Sequence, residues 1–222
     1  VKLAYYPFEP FIFADDKITM IETGNHDIYQ NLILNFKDLK EDLHFSDNDS
    51  NLLDTSKALH WFGDAFIQVD LDKSFQTHLY KKLKENMTES QTKQIFDLAQ
   101  QLKTSILEAT YILDLPLQVE EQTEMSKIFK FSDLHFSSTL VSNSYGIIEA
   151  ILKTANELND DKILGFMNVS DYLTDDELVE LNELVRSLKL KVLLIKFSEI
   201  ERREKFNGCR YYYIDSDYVE WK

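Results

Sequence analysis

Cysteine is almost absent from this chain. The single Cys209 excludes an intrachain disulfide framework and fits a reducing compartment, so the cytoplasm is the expected location. Proline and glycine are scarce as well, at 3 and 5 of 222 residues, which argues against low-complexity or collagen-like character. No apolar run approaches the roughly 18 residues that a membrane span needs, and no membrane association is expected. The opening VKLAYYPFEPFIFADD lacks the apolar core of a signal peptide. Cations are outnumbered: 24 Lys and Arg face 39 Asp and Glu, for a formal charge of −15. Such a balance is a poor starting point for nucleic-acid binding, which needs local cations. The five histidines show no HExxH or other paired spacing, and there is no GxSxG. A zinc centre and a nucleophilic hydrolase are therefore without support.

What the chain does have is core. Hydrophobic residues make up 44% and aromatics 13%, enough for one large domain or one domain carrying an insertion. The acidity is uneven. Residues 1–75 carry 6 basic and 14 acidic side chains (−8), residues 76–130 carry 7 and 8 (−1), and residues 131–222 carry 11 and 17 (−6). A nearly neutral middle leaves room for a local basic surface.

Short strands are expected at Leu3–Tyr6 and Phe11–Phe13, as an edge hairpin around Pro7 and Pro10. Lys17–Ile21 reads as a third strand, followed by a Thr23-Gly24-Asn25 turn and a helix with Ile28, Leu32, Ile33 and Phe36 on one face. Leu43–Phe45 and Ala58–Phe62 read as two strands around a polar loop. The middle is helical. Phe75, Leu79, Leu83 and Met87 repeat every four residues, and Thr88-Glu89-Ser90-Gln91 opens a second helix in the capping-box pattern. That helix is expected to run to about Leu113, roughly 35–40 Å at 1.5 Å per residue. Together the two would make a protruding hairpin closed by Pro116, with Glu120–Phe131 returning as a shorter helix or loop. A further amphipathic helix covers Tyr145–Leu158. The strand Lys162–Met167, a capped helix from Thr174, and the strand Val192–Phe197 form a βαβ unit with parallel strands. The expected class is thus α/β: a head of residues 1–72 and 135–222, and a helical leg of residues 73–134 inserted into it.

Several sites are candidates. KITMIETGNHDIYQNLI has the strand–turn–helix order of a phosphate-binding loop but only Gly24, with no following Lys-Ser or Lys-Thr. The preferred reading is a degenerate turn that keeps the scaffold and loses the nucleotide. Asp47-Asn48-Asp49-Ser50-Asn51 begins like a calcium loop, yet Leu52 and Ala58 stand where glycine and glutamate are required, so a solvated polar turn is preferred. Asp114, Glu120, Glu121 and Glu124 cluster after the long helix. Glu120 and Glu124 would share a face if the return were helical, and like charges so close repel unless a cation such as Ca²⁺ lies between them. From spacing alone, an ordinary acidic surface is the preferred reading. Lys81 and Lys84 fall opposite the apolar stripe of the first long helix, Lys82 adjoins them, Lys93 and Lys103 lie on the second, and Lys127 and Lys130 lie on the return. They read as a solvated face or as a phosphate-binding surface. Tyr211-Tyr212-Tyr213 could stack bases or lie in a partly buried strand.

The order of elements resembles the small accessory protein of type II-A CRISPR systems, the Csn-two family, which acts in spacer acquisition. The resemblance is carried by FEPFIFADDKITMIE, by WFGDAFIQVDLDKSFQTHLYKKLKENM, by DKILGFMNVSDYLTDDELVELNELVRSLKLKVLLIKF and by the tail YYYIDSDYVEW. Its most specific part runs from Phe166-Met167-Asn168 to Leu173-Thr174-Asp175-Asp176-Glu177. The resemblance implies a degenerate P-loop-like α/β head with a helical leg, four subunits in a ring, and no catalytic activity. Linear double-stranded DNA ends would thread the hole, lined by lysines such as Lys81, Lys82, Lys84, Lys103, Lys127 and Lys130. It also implies Ca²⁺ held by acidic residues, which map here to Asp114, Glu120, Glu121 and Glu124. Pro116-Leu117-Gln118-Val119 interrupts that stretch and leaves it poorer in acids than the family pattern. The partners implied are the CRISPR integrase pair and the effector nuclease of the same system. The competing classes are a P-loop-like nucleotide-binding enzyme and a scaffold that binds only proteins.

Overall fold

The computed structural model describes residues 1–38, 43–68, 70–137 and 143–221. The chain divides into two compact units, Val1–Ser74 with Ser138–Lys222, and Phe75–Ser137.

The first unit is mixed α/β. Its main sheet has six strands in the order β10-β9-β3-β8-β7-β6. These are β3 (Ile18–Thr23), β6 (Leu59–Gly63), β7 (Ile163–Met167), β8 (Val192–Phe197), β9 (Arg210–Ile214) and β10 (Glu220–Trp221). β3 pairs in parallel with both β8 and β9, and β7 pairs in parallel with both β8 and β6. Only β10 is antiparallel. The parallel strands are nearly continuous apolar runs because both faces are covered. Alternation divides those faces. Ile21, Leu193 and Ile195 join one core cluster with helix α1 (His26–Asp38), through Ile28, Leu32 and Phe36. Met20, Val192 and Leu194 alternate with them and point to the other face.

A second sheet, of order β2-β1-β4-β5, shares that core through Leu3, Phe11 and Phe45. Its strands are β1 (Lys2–Ala4), β2 (Phe11–Ile12), β4 (His44–Ser46) and β5 (Leu52–Leu53). β5 is absent from the sequence reading, which placed Leu52 and Leu53 in the polar loop between two strands. The loop between β4 and β5 is a turn closed on itself. The Asp47 carboxylate accepts hydrogen bonds from Asp49 N (2.9 Å), Asn51 N (2.8 Å) and Asn51 Nδ2 (2.9 Å), and Ser50 is left-handed at φ 66°. Those bonds from Asn51 hold the Asp47 carboxyl below its ordinary range. Ala58, expected to start a strand, instead ends a one-turn helix, α2 (Thr55–Ala58), capped by Asp54. Helix α3 (Ala65–Gln68) follows β6. Helices α7 (Ser144–Glu157) and α8 (Asp175–Leu188) complete the unit. Thr174 and Glu177 form the expected capping box, and Lys189 ends α8 in the left-handed conformation at φ 54°.

The second unit is helical. It holds most of α4 (Leu71–Asn86), then α5 (Glu89–Thr110) and α6 (Met125–Phe131). Thr88 and Gln91 make the capping box of α5. This helix stops at Thr110 rather than Leu113, and residues 111–124 are irregular. Tyr80, Met125 and Phe129 form a small core, with Leu79, Leu83, Ile95 and Ile128 packed on it.

Candidate nucleic-acid interface

The strand–turn–helix at β3 and α1 occupies its own phosphate position. Gly24 N donates to Ile214 O (2.9 Å), and the Asn25 side-chain oxygen Oδ1 accepts from Asp27 N (3.0 Å) and Ile28 N (3.1 Å). Asn25 Nδ2 donates in turn to Ser216 O (3.0 Å). The amides that a P-loop would offer to phosphate are here capped by a side chain. Room is short too: a Cβ on Gly24 would stand 3.2 Å from Ser198 O and from the Tyr213 hydroxyl. Tyr211, Tyr212 and Tyr213 are all buried, which decides between the two readings of this run in favour of a strand packed into the core.

Sequence reasoning missed the charge beside this turn. Glu22 on β3 is fully buried. Its carboxylate is paired with the Arg202 guanidinium and accepts a hydrogen bond from the Tyr211 hydroxyl (2.6 Å). An acid inside the otherwise apolar stretch ITMIE was the available signal, because such a charge demands a cation partner. Burial and the Glu22 hydrogen bond both push the Tyr211 hydroxyl up from its ordinary value.

In the helical unit the predicted lysines fall into separate places. Lys81 and Lys84 on α4 and Lys130 on α6 line one groove of about 720 Å³. Gln76, Thr77 and Thr92 add hydrogen-bonding groups to it, Phe96 an aromatic face, and Glu124 a carboxylate. All three lysines are exposed. Lys81 lies 3.9 Å from Glu85 in an open i,i+4 pair, which is worth little in water. Lys82 is half-buried and lines neither this groove nor the next. Lys103 and Lys127 line a second groove, between α5 and α6, whose walls are mostly apolar. The Lys103 ammonium donates to the backbone carbonyls of Glu120 (2.6 Å) and Glu121 (3.2 Å), so it clamps the returning chain.

The acids are dispersed. Glu124 reaches the first groove and Glu120 the second, while Asp114 and Glu121 are exposed and line neither. Glu120 and Glu124 do not share a helix face, because α6 begins only at Met125 and residues 120–124 are irregular. Among the described residues no three His, Cys, Asp or Glu side chains form a group that could hold a metal ion. No helix of the described residues is long and apolar enough to cross a membrane.

Fold and site together define a degenerate P-loop-like α/β protein with an inserted helical unit that carries a cationic groove. The chain belongs to the family described as CRISPR-associated protein (Cas_Csn2), whose model matches residues 36–218. A search of the curated proteins found no match. Among solved structures the chain is similar to Stu0660 of Streptococcus thermophilus, with a TM-score of 0.57 and 11% identity. The match covers 97% of this chain and 74% of that one. At that identity the likeness shows the fold alone.

Proposed function

We propose that this chain is a non-catalytic ring protein of CRISPR spacer acquisition that binds the ends of linear double-stranded DNA. The observation that carries the reading is the groove of the helical unit, where Lys81, Lys84 and Lys130 converge from two helices in a chain of net charge −15. A cation cluster kept on so acidic a molecule suits a polyanion. Membership in a CRISPR-associated family supplies the context, a cytoplasmic one in which the integrase pair and the effector nuclease are the partners. One groove offers too few phosphate contacts for tight binding. A homotetramer repeating it around a hole would multiply them. The capped turn at Asn25 supports a protein that neither binds nor hydrolyses nucleoside triphosphates.

Ca²⁺ remains part of the proposal. Some of the dispersed Asp114, Glu120, Glu121 and Glu124 would be brought to a shared ion by neighbouring subunits, and chelation should then lower the assembly's melting temperature.

The test is an electrophoretic shift on linear duplex. Charge reversal at Lys81, Lys84 and Lys130 together should abolish the shift and leave the assembly mass unchanged. The wild-type affinity should fall steeply with salt, about one decade per decade of salt for each phosphate neutralised. A triple variant that binds like wild type contradicts the assignment of the groove.

A further inference from the structure

Among the described residues, none fills the second groove of the helical unit. It is about 760 Å³ in volume and is walled by Leu98 and Leu102 of α5, Val119 of the returning chain, and Ile128 and Phe131 of α6. Helix α5 buries none of its residues. Just past its end, residues 111–117 put five large apolar side chains into solvent. Tyr111 is 75% exposed, Ile112 88% and Leu115 60%, with Leu113 and Leu117 beside them. Single exposed apolar residues are ordinary, but an apolar run beside an apolar groove is an unburied pair of surfaces. The run does not fill the groove of its own chain, since its side chains stay exposed and the groove wall resumes only at Val119.

We infer that residues 111–117 of one copy insert into the α5–α6 groove of a second copy, and that the second copy reciprocates. Charge fits the same pairing. Asp114 sits within the apolar run, and Lys127 is exposed at the groove edge. Lys103 is already engaged by the Glu120 and Glu121 carbonyls, which leaves Lys127 as the natural partner for Asp114. Each copy carries both halves, so the contact is self-complementary and closes on a pair. The inference rests on the self-assembling reading above and names the surface that would do it.

The experiment is sedimentation equilibrium on the whole chain across concentration. Four samples are compared: wild type, I112E/L115E, L98E/L102E, and an equal mixture of the two variants. Each variant alone should associate about 30-fold or more weakly than wild type, as expected for removing two buried aliphatic side chains from each junction. The mixture should recover a two-chain species, because the intact run of one variant meets the intact groove of the other. Circular dichroism and melting temperature check that the variants fold. Should either glutamate pair fail to fold, D114K and K127D replace them: each should weaken association, and the two mixed should restore it. Variants that assemble like wild type, or a mixture that stays monomeric, overturn the inference while leaving a ring built on another surface in place. A wild type that is monomeric throughout overturns both.

Discussion

Glu22 is fully buried on the central strand β3, and its charge is tolerable there because the Arg202 guanidinium and the Tyr211 hydroxyl both meet it. The pair is a condition for folding rather than a source of stability, since desolvating both groups offsets much of their attraction. Removing one partner is another matter. R202M should cost about 3–5 kcal/mol by leaving an uncompensated carboxylate. The double variant with E22Q should recover a large part of that loss in a denaturant titration. A single variant as stable as wild type would mean that Glu22 finds another partner. Asp160 gives a pH-dependent counterpart. Burial pushes its carboxyl up, but the 2.7 Å contact with His60 Nδ1 and the attraction of that ring outweigh it and hold it below its ordinary value of 3.8. A depressed folded value makes this stabilisation complete above the unfolded value and removes it as pH falls through the folded one. D160N should therefore be less stable at pH 7, and its stability should fall less than wild type's as the pH drops below the ordinary carboxylate value. Equal acid slopes for the two proteins would contradict the assignment.

At the scale of elements, the lysines of the helical unit divide by what they touch. Lys103 bonds the carbonyls of Glu120 and Glu121, and so it fixes the return between α5 and α6. K103M should lower the melting temperature of the chain and change DNA affinity far less than K130E does. A loss of affinity as large as that of K130E would put Lys103 in the interface instead. The long elements were legible before the structure. A period-four stripe gave α4, the Thr-x-x-Gln and Thr-x-x-Glu boxes marked the starts of α5 and α8, and two apolar runs gave β7 and β8. Two short elements were not: β5 and α2 both fall in the stretch between β4 and β6 whose polar residues read as a loop. The place of residues 120–124 was equally hidden, since spacing alone does not distinguish a helix from an irregular return. Grouping Lys81, Lys84 and Lys130 needs three dimensions, because Lys130 lies 46 residues beyond Lys84 and reaches the groove only through the packing of α6.

For the whole molecule the question is how a chain of charge −15 would hold DNA. The acids dominate residues 1–75 and 131–222, and the helical unit lies in the nearly neutral stretch between them. Grouping Lys81, Lys84 and Lys130 in one groove, and repeating that groove by self-assembly, would reconcile an acidic protein with a polyanionic ligand. It also predicts contact through phosphates, with no preference for base sequence. A ring adds a demand that no open surface makes, because the duplex must enter by an end. The most direct test compares one duplex in linear and in covalently closed circular form, at equal length and salt. Binding to the linear form, loss of that complex when the ends are blocked before the protein is added, and trapping when they are blocked afterwards are the predicted results. Equal binding to the closed circle would contradict the account.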